Sequence, residues 1–325
     1  MNILVTGGAG YIGSATAEAL VKAGHSVTVY DSLVTGHRAA VPKGAGFVEA
    51  DLADSSALAK TLTDQKFDAV MHFAAFIEAG ESMKDPGRFY HNNFTNSLTL
   101  IETAVRAGVR RFVLSSTAAV YQSSEEPLTE DSPLGPTNVY GHTKLMVEQS
   151  LDWYREIHGL HFAALRYFNA CGALPGHGEA HQPESHLIPL VLRVPLGQRE
   201  SAQIYGTDYP TPDGTCIRDY IHIADLVSAH LLALDGLGDR DRLIYNLGSG
   251  NGYSVREVIE TARQVTGHPI PVNELQRRPG DSARLVASSE KIKRELGWAP
   301  THDNLHEIIA SAWEWHQSHP RGYEE

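Results

Sequence analysis

Apolar positions along this chain fall in two rhythms. Short apolar or β-branched runs predict strands at 2–7 (NILVTG), 26–31 (SVTVYD), 46–51 (GFVEAD), 67–75 (FDAVMHFAA), 110–117 (RRFVLSST) and 161–169 (HFAALRYFN). Stretches with helical spacing lie between them at 14–24, 54–65, 94–107 and 141–157. Strands this apolar, alternating with helices, imply a parallel sheet covered on both faces. After residue 170 the rhythm breaks. A Gly/Pro/His-rich loop (CGALPGHGEAHQPESHLIP) and a turn-rich stretch (DYPTPDGTCIRDYIHIADL) precede a helical pattern at 224–235. In 254–267, Val255, Val258, Ile259, Ala262 and Val265 share one helix face, and Ser254 and Glu257 have capping-box spacing. Two more helical stretches lie near 290 and 305, and no internal repeat is found. The fold class expected is α/β. A doubly wound parallel sheet spans 1–170, and 171–325 form mainly a smaller C-terminal α/β substrate lobe, interleaved so that some segments return to the sheet.

Composition narrows the partners. The chain has 325 residues and a formal net charge of -12, which argues against nucleic acid or an anionic membrane as partner. An anionic ligand therefore needs a local basic site. Only Cys171 and Cys216 are present, so a disulfide framework is not expected and a reducing compartment fits. The opening MNILVTGGAG carries no basic or long apolar leader, and no apolar run reaches membrane-spanning length. The expected location is cytoplasmic.

The first chemistry stands in VTGGAGYIGS. Gly7, Gly10 and Gly13 follow the first strand and open the first helix. Glycine permits a tight turn and close backbone approach, and the helix N-terminus offers free N–H groups to a pyrophosphate. Asp31, ending the second strand, is placed for an adenosine ribose 2′-hydroxyl, which selects NAD over its 2′-phosphorylated form. His37 and Arg38 lie close enough in sequence to meet a 2′-phosphate instead. Asp51, ending the third strand, either accepts from an adenine amino group or caps the helix that starts near 54. The sheet is thus expected to be a Rossmann-type, dinucleotide-binding one.

The second chemistry is NVYGHTKLMVEQS, residues 138–150. Tyr140 and Lys144 stand four apart and so share a helix face. Ser115, Ser116 and Thr117 end a strand, and strand C-termini in a doubly wound sheet face the ligand crevice. Thr117, Tyr140 and Lys144 then converge beside a nicotinamide. Lysine and a cationic nicotinamide both favour the ionised phenol, so a pKa well below the ordinary value of about 10 is expected for Tyr140. Tyr140 is then the general base for a substrate alcohol.

These features resemble the extended short-chain dehydrogenase/reductase family and, within it, the UDP-glucose 4-epimerase family. The resemblance runs along essentially the whole chain. It rests on GGAGYIGS (7–14), HFAAF (72–76), GES (80–82), NN (92–93), SSTAAVY (115–121), YGHTK (140–144), LRYFN (165–169), DYPTPDGTCIRDYIH (208–222), YNLGSG (245–250) and RRPGD (277–281). Related dehydratases carry an acidic pair after the threonine. Here Ala118 and Ala119 follow Thr117, so the groups for water elimination are missing.

The resemblance implies interconversion of UDP-galactose and UDP-glucose through a 4-keto intermediate. Tyr140 removes the 4-hydroxyl proton while hydride passes to tightly held NAD. Thr117 hydrogen-bonds the same oxygen, and Lys144 binds the nicotinamide ribose. Further NAD contacts are implied for Tyr11, Ile12, Leu52, Phe73, Ala74, Ala75, Asn92, Ser115 and Tyr167. For the UDP-sugar, Asn169 meets the diphosphate region, Leu187 lines the uracil pocket, and Arg218 and Arg278 bind the diphosphate. Asp281 accepts from the uridine ribose and His186 lies near the uridine. Tyr220 joins this set, although with His222 it also reads as a packing or hydrogen-bonding residue. A homodimer packed through helices of the first domain is implied as well.

Departures from the pattern are local. Ile77 and then Glu78 stand where family members often carry a lysine two residues beyond HFAA, and Gln122 replaces a usual glycine. Leu285 occupies the position gating the sugar's C2 side, where some members have a tyrosine. A smaller residue leaves room for an N-acetyl group, so UDP-N-acetylglucosamine and its galacto epimer are further candidate substrates. His177, His181 and His186 with Glu179 and Glu184 have only loose metal-ligand spacing, so no metal is expected and the loop reads as a substrate cover. Competing readings are a uronate or pentose epimerase, a simple reductase, or a non-enzymatic NAD sensor. A sensor has no need of a general base.

Overall fold

The computed structural model describes residues 1–278 and 281–324, so Pro279 and Gly280 of the RRPGD string lie outside the described residues. Seven parallel strands form the central sheet, in the spatial order Arg242–Leu247, His161–Tyr167, Arg111–Thr117, Ala69–His72, Asn2–Thr6, Ser26–Asp31, Gly46–Glu49. Strand order reverses between Asn2–Thr6 and Ala69–His72. There the carboxyl ends of the two strands open a crevice.

Both sheet faces are covered, as the apolar strands require. Ile3 and Val5 point to one side, among Ala17, Leu20, Leu226, Ala229 and Ala233 from the helices Tyr11–Lys22 and Ile223–Gly236. Leu4 points to the other, among Leu58, Leu100 and Leu151 from Ser55–Asp64, Asn96–Arg106 and Val139–His158. Alternation along one strand thus feeds two separate cores. No helix among the described residues is long and apolar enough to cross a membrane.

The strand Arg242–Leu247 is not among those that the pattern predicts. It pairs in parallel with His161–Tyr167 and lies between lobe segments in sequence. A short apolar run does not reveal by periodicity alone which sheet it joins. The buried Glu148–Arg166 ion pair helps anchor this edge. The two side chains meet at 2.6 Å, and Arg166 also donates to Tyr121, whose hydroxyl donates to Asn246.

The lobe has its own core, formed by Leu187–Leu192, Val255–Thr266, Leu305–Ser318 and the parallel pair Ala202–Tyr205 with Val272–Leu275. Ser254 and Glu257 close the capping box that their spacing predicts. The short strand Asn169–Cys171 leaves the main sheet and pairs with Tyr220–His222. That crossover carries the chain from the crevice into the lobe.

Candidate active site

The turn after the first strand is shaped by glycine at two positions. Gly7 has φ +74°, and a Cβ there would lie 2.4 Å from the Ala74 backbone nitrogen. A Cβ on Gly13 would lie 2.2 Å from the Gly7 carbonyl oxygen. The helix Tyr11–Lys22 starts at Gly10 with no side chain capping its N–H groups. Those donors face a cavity of about 310 Å³. Asp31 accepts from the N–H groups of Ala9 (3.0 Å) and Leu33 (2.8 Å), which holds the carboxylate at the cavity wall. Burial raises its pKa against those two bonds. A tight glycine turn, an open helix N-terminus and a fixed carboxylate suit an adenosine diphosphate moiety, so these residues fit NAD.

All the proposed NAD contacts line this one cavity: Gly7, Gly10, Tyr11, Ile12, Gly13, Asp31, Asp51, Leu52, Phe73, Ala74, Ala75, Asn92, Ser115, Tyr140, Lys144 and Tyr167. Thr117 joins them at the same wall. Asn92 reaches it from a π-helical turn, Tyr90–Thr95, a geometry that recurs at functional sites. Its neighbour Asn93 points inward and clamps Phe76 through both backbone groups, at 2.8 Å each.

Tyr140 sits in the first turn of Val139–His158, which Asn138 caps by accepting from the Gly141 N–H. The Tyr140 N–H donates to the buried Ser82 hydroxyl at 3.1 Å. Lys144 is buried one turn on and donates to the Ser115 carbonyl at 2.9 Å. Gly141 allows the close approach, since a Cβ there would lie 2.2 Å from the Ala119 carbonyl oxygen. Burial pushes the Tyr140 phenol up to about 12, opposed by its hydrogen bond with Thr117 and reinforced by Glu78. Burial also brings the Lys144 ammonium down to about 8, with Glu148 opposing.

Desolvation is thus the largest influence of the protein's own groups on this phenol, and it acts against the lowering expected of Lys144 together with a cationic nicotinamide. Ser82 and Glu78 escape sequence reasoning, because both act across loops. The GES string marks the first of these without revealing its role.

A second cavity, of about 450 Å³, adjoins the first, and Asn169 and His186 line both. Leu187, Arg218, Tyr220, Arg278 and Asp281 line it too. Arg218 donates to the carbonyls of Ile217 (2.9 Å) and Ser282 (2.8 Å) and lies 3.5 Å from Asp281. Arg278 donates to the other Asp281 oxygen at 2.9 Å and lies over the Tyr205 ring. Two guanidiniums thus share one carboxylate and leave a net positive wall. The Asn169 amide nitrogen donates to the Asp219 carbonyl at 2.7 Å, and Tyr220 is buried with its phenol pushed up by desolvation.

Several open alternatives receive an answer. Asp54, not Asp51, caps Ser55–Asp64, and Asp51 faces the cavity. His37 hydrogen-bonds with the Ala180 carbonyl, Arg38 pairs with Glu49, and neither lines the cavity. Ile77 and Glu78 line the cavity at the departed lysine position, whereas Gln122 is exposed away from it. Leu285 packs beside Phe168 and Leu145 and lines neither cavity. Both cysteines are free and buried.

Known proteins are similar along essentially the whole chain. Residues 3–248 match the model of the NAD dependent epimerase/dehydratase family. A UDP-glucose 4-epimerase of Streptomyces lividans is 51% identical over 324 residues, 99% of this chain and 98% of that protein. A crystal structure of UDP-glucose 4-epimerase superposes with a TM-score of 0.97 at 50% identity, covering 100% of both chains. The UDP-glucose 4-epimerase of Bifidobacterium longum, solved with NAD+ and UDP, gives 0.95 at 35% identity over 99% of this chain and 100% of that one. With the glycine cradle and the paired Tyr140 and Lys144, these matches establish that the chain belongs to the NAD dependent epimerase/dehydratase family.

Proposed function

We propose that the protein is an NAD-dependent UDP-sugar 4-epimerase that interconverts UDP-galactose and UDP-glucose. One observation carries the reading. Tyr140, at the same wall as Thr117 and one turn from buried Lys144, stands in a dinucleotide cavity that continues into an arginine-lined one. A nucleotide sugar spanning both cavities has its diphosphate near Arg218 and Arg278 and its sugar near Tyr140.

Tyr140 takes the proton of the sugar 4-hydroxyl and returns it after the ring has turned. Thr117 donates to the same oxygen. Lys144, at about 8, keeps most of its charge at neutral pH and favours the phenolate. NAD, held by the glycine turn, Asp31 and Lys144, would supply reversible hydride acceptance at the sugar C4. The redox balance is zero, so the cofactor stays bound and is not consumed. Ala118 and Ala119 leave no acid–base pair for dehydration.

Additional turnover of UDP-N-acetylglucosamine and its galacto epimer is supported by the similarity to a UDP-Glc/GlcNAc 4-epimerase of Campylobacter jejuni, 40% identical with a TM-score of 0.86. A homodimer is supported by Trp153 and Ile157, 64% and 68% exposed on Val139–His158. Free buried cysteines support a reducing compartment such as the cytoplasm. The test is to incubate pure protein with UDP-galactose and no added cofactor, following the sugar nucleotide by NMR. UDP-glucose forms, and Tyr140→Phe abolishes it. No conversion even with added NAD would move the substrate to the acetylated pair or the uronates. No turnover of either acetylated sugar would sink the extension.

A further inference from the structure

The spacing of the Gly/Pro/His-rich loop suggests no metal geometry, but the folded loop supplies one. Glu179, His181, Glu184 and His186 each turn one donor atom inward, and these atoms all lie within 4.8 Å of one another. We propose that these four side chains form a zinc site in the wall shared by the two cavities.

Donor counting is the first argument. His186 Nδ1 lies 2.6 Å from Glu179 Oε1 and 3.1 Å from Glu184 Oε1, and His181 Nδ1 lies 3.1 Å from that same Glu179 oxygen. Glu184 Oε1 also accepts from the Ser185 and His186 N–H groups at 2.8 Å each, so the two imidazoles are left to converge on one buried Glu179 oxygen. A divalent cation bonds all four atoms at once and balances two carboxylates that are almost wholly buried, with side chains 5% and 1% exposed. A tetrahedral zinc with bonds of about 2.0 Å separates its ligand atoms by about 3.3 Å, inside the span set here by the 2.6 Å contact and the 4.8 Å limit.

Ligand chemistry gives the identity. Two imidazole nitrogens favour a transition ion over magnesium or calcium, and two nitrogens with two carboxylate oxygens suit zinc. Four protein ligands close the coordination sphere, which is the pattern of a structural ion.

Packing holds the ligands in place. Gly178 lies against the Trp315 indole, where a Cβ would come within 2.0 Å of the ring, and its N–H donates to the Tyr323 hydroxyl at 3.1 Å. His177, just before the cluster, lies 3.0 Å from the Ser14 hydroxyl on the first helix. His186, at its end, is the N-cap of Leu187–Leu192 in the lobe. The ion therefore ties the cofactor cradle to the lobe, and His186 becomes a ligand that stiffens the substrate wall.

The test uses full-length protein without a histidine tag, and its readouts do not depend on epimerase activity. Elemental analysis should find about one zinc per chain. Chelator should remove it and lower the melting temperature, and zinc should restore both. Titration of the stripped protein should give a Kd below about 1 μM. Cobalt should bind with the strong visible bands of a four-coordinate ion. Glu179→Gln should weaken zinc binding at least about tenfold, by loss of a ligand. The more exposed His181→Asn should do the same and serves if Glu179→Gln fails to fold. A Kd above that limit, or unchanged affinity in the folded His181→Asn variant, would overturn the proposal.

Discussion

The two cavities share a wall at Asn169 and His186, yet they are built by different means. The first is made of strand ends, a glycine turn and the N-terminal turns of two helices, Tyr11–Lys22 and Val139–His158. Tyr140 and Lys144 there are buried and displaced from their ordinary values, the first up to about 12 and the second down to about 8. The second is assembled from the short helix Leu187–Leu192, short strands and loops of the lobe. Its working groups are two guanidiniums, which stay charged whether or not they are half-exposed. Proton transfer needs groups poised between two states, and a dry, rigid scaffold can set that poise. Anion binding needs charge that does not switch, and loops suffice to bring it together. The first region should therefore act on kcat and the second on KM.

The largest expected effect tests that division directly. Tyr140→Phe should lower kcat by about 10²–10⁴ through loss of general-base catalysis, with UDP binding by calorimetry unchanged. A parallel loss of UDP affinity would break the comparison. Next, Arg218→Ala removes charge-assisted bonds of about 1.5–3 kcal/mol, about 10–100-fold in KM for the UDP-sugar. Steady-state kinetics should show a much smaller change in kcat, and a kcat effect as large as the KM effect would contradict the division.

Gly7→Ala sharpens the account of the cradle. Its left-handed backbone, at φ +74°, costs an alanine about 1–2 kcal/mol, and the added carbon meets the Ala74 backbone. NAD retained through purification, measured after denaturing release, should fall about 5–30-fold in apparent affinity. Full retention would show that the turn tolerates a side chain.

The smallest effect is on stability. Burial brings Lys144 down to about 8 in the folded protein from its ordinary 10.5, so between those values the unfolded chain binds more protons. Stability should rise with pH across that window, because the cost of burying the ammonium is relieved as it deprotonates. Denaturant titrations at both ends of the window should show Lys144→Met with a flatter slope. An identical slope would mean that this lysine stays charged when folded.

What could be read along the chain is local. The strands that begin the sheet, the glycine turn and the capping box of Ser254 and Glu257 depend on neighbours a few residues apart. Tyr140 and Lys144 are legible as a pair for the same reason: one helix turn separates them. Asp51 and Asp54 show the limit, since both suit a cap and only the folded backbone chooses Asp54. The strand Arg242–Leu247 shows it again, because its partner His161–Tyr167 is far away in sequence.

The sequence by itself determined the fold class, the dinucleotide cradle and the candidate acid–base pair, because periodicity, glycine geometry and helix spacing are short-range. Only the tertiary structure decided the charge states and shared partners. It raised Tyr140 by burial, set Arg218 and Arg278 on one Asp281 carboxylate, and drew Glu179, His181, Glu184 and His186 into one cluster. Desolvation and convergence depend on what surrounds a group in space, and segments distant in the chain supply those surroundings.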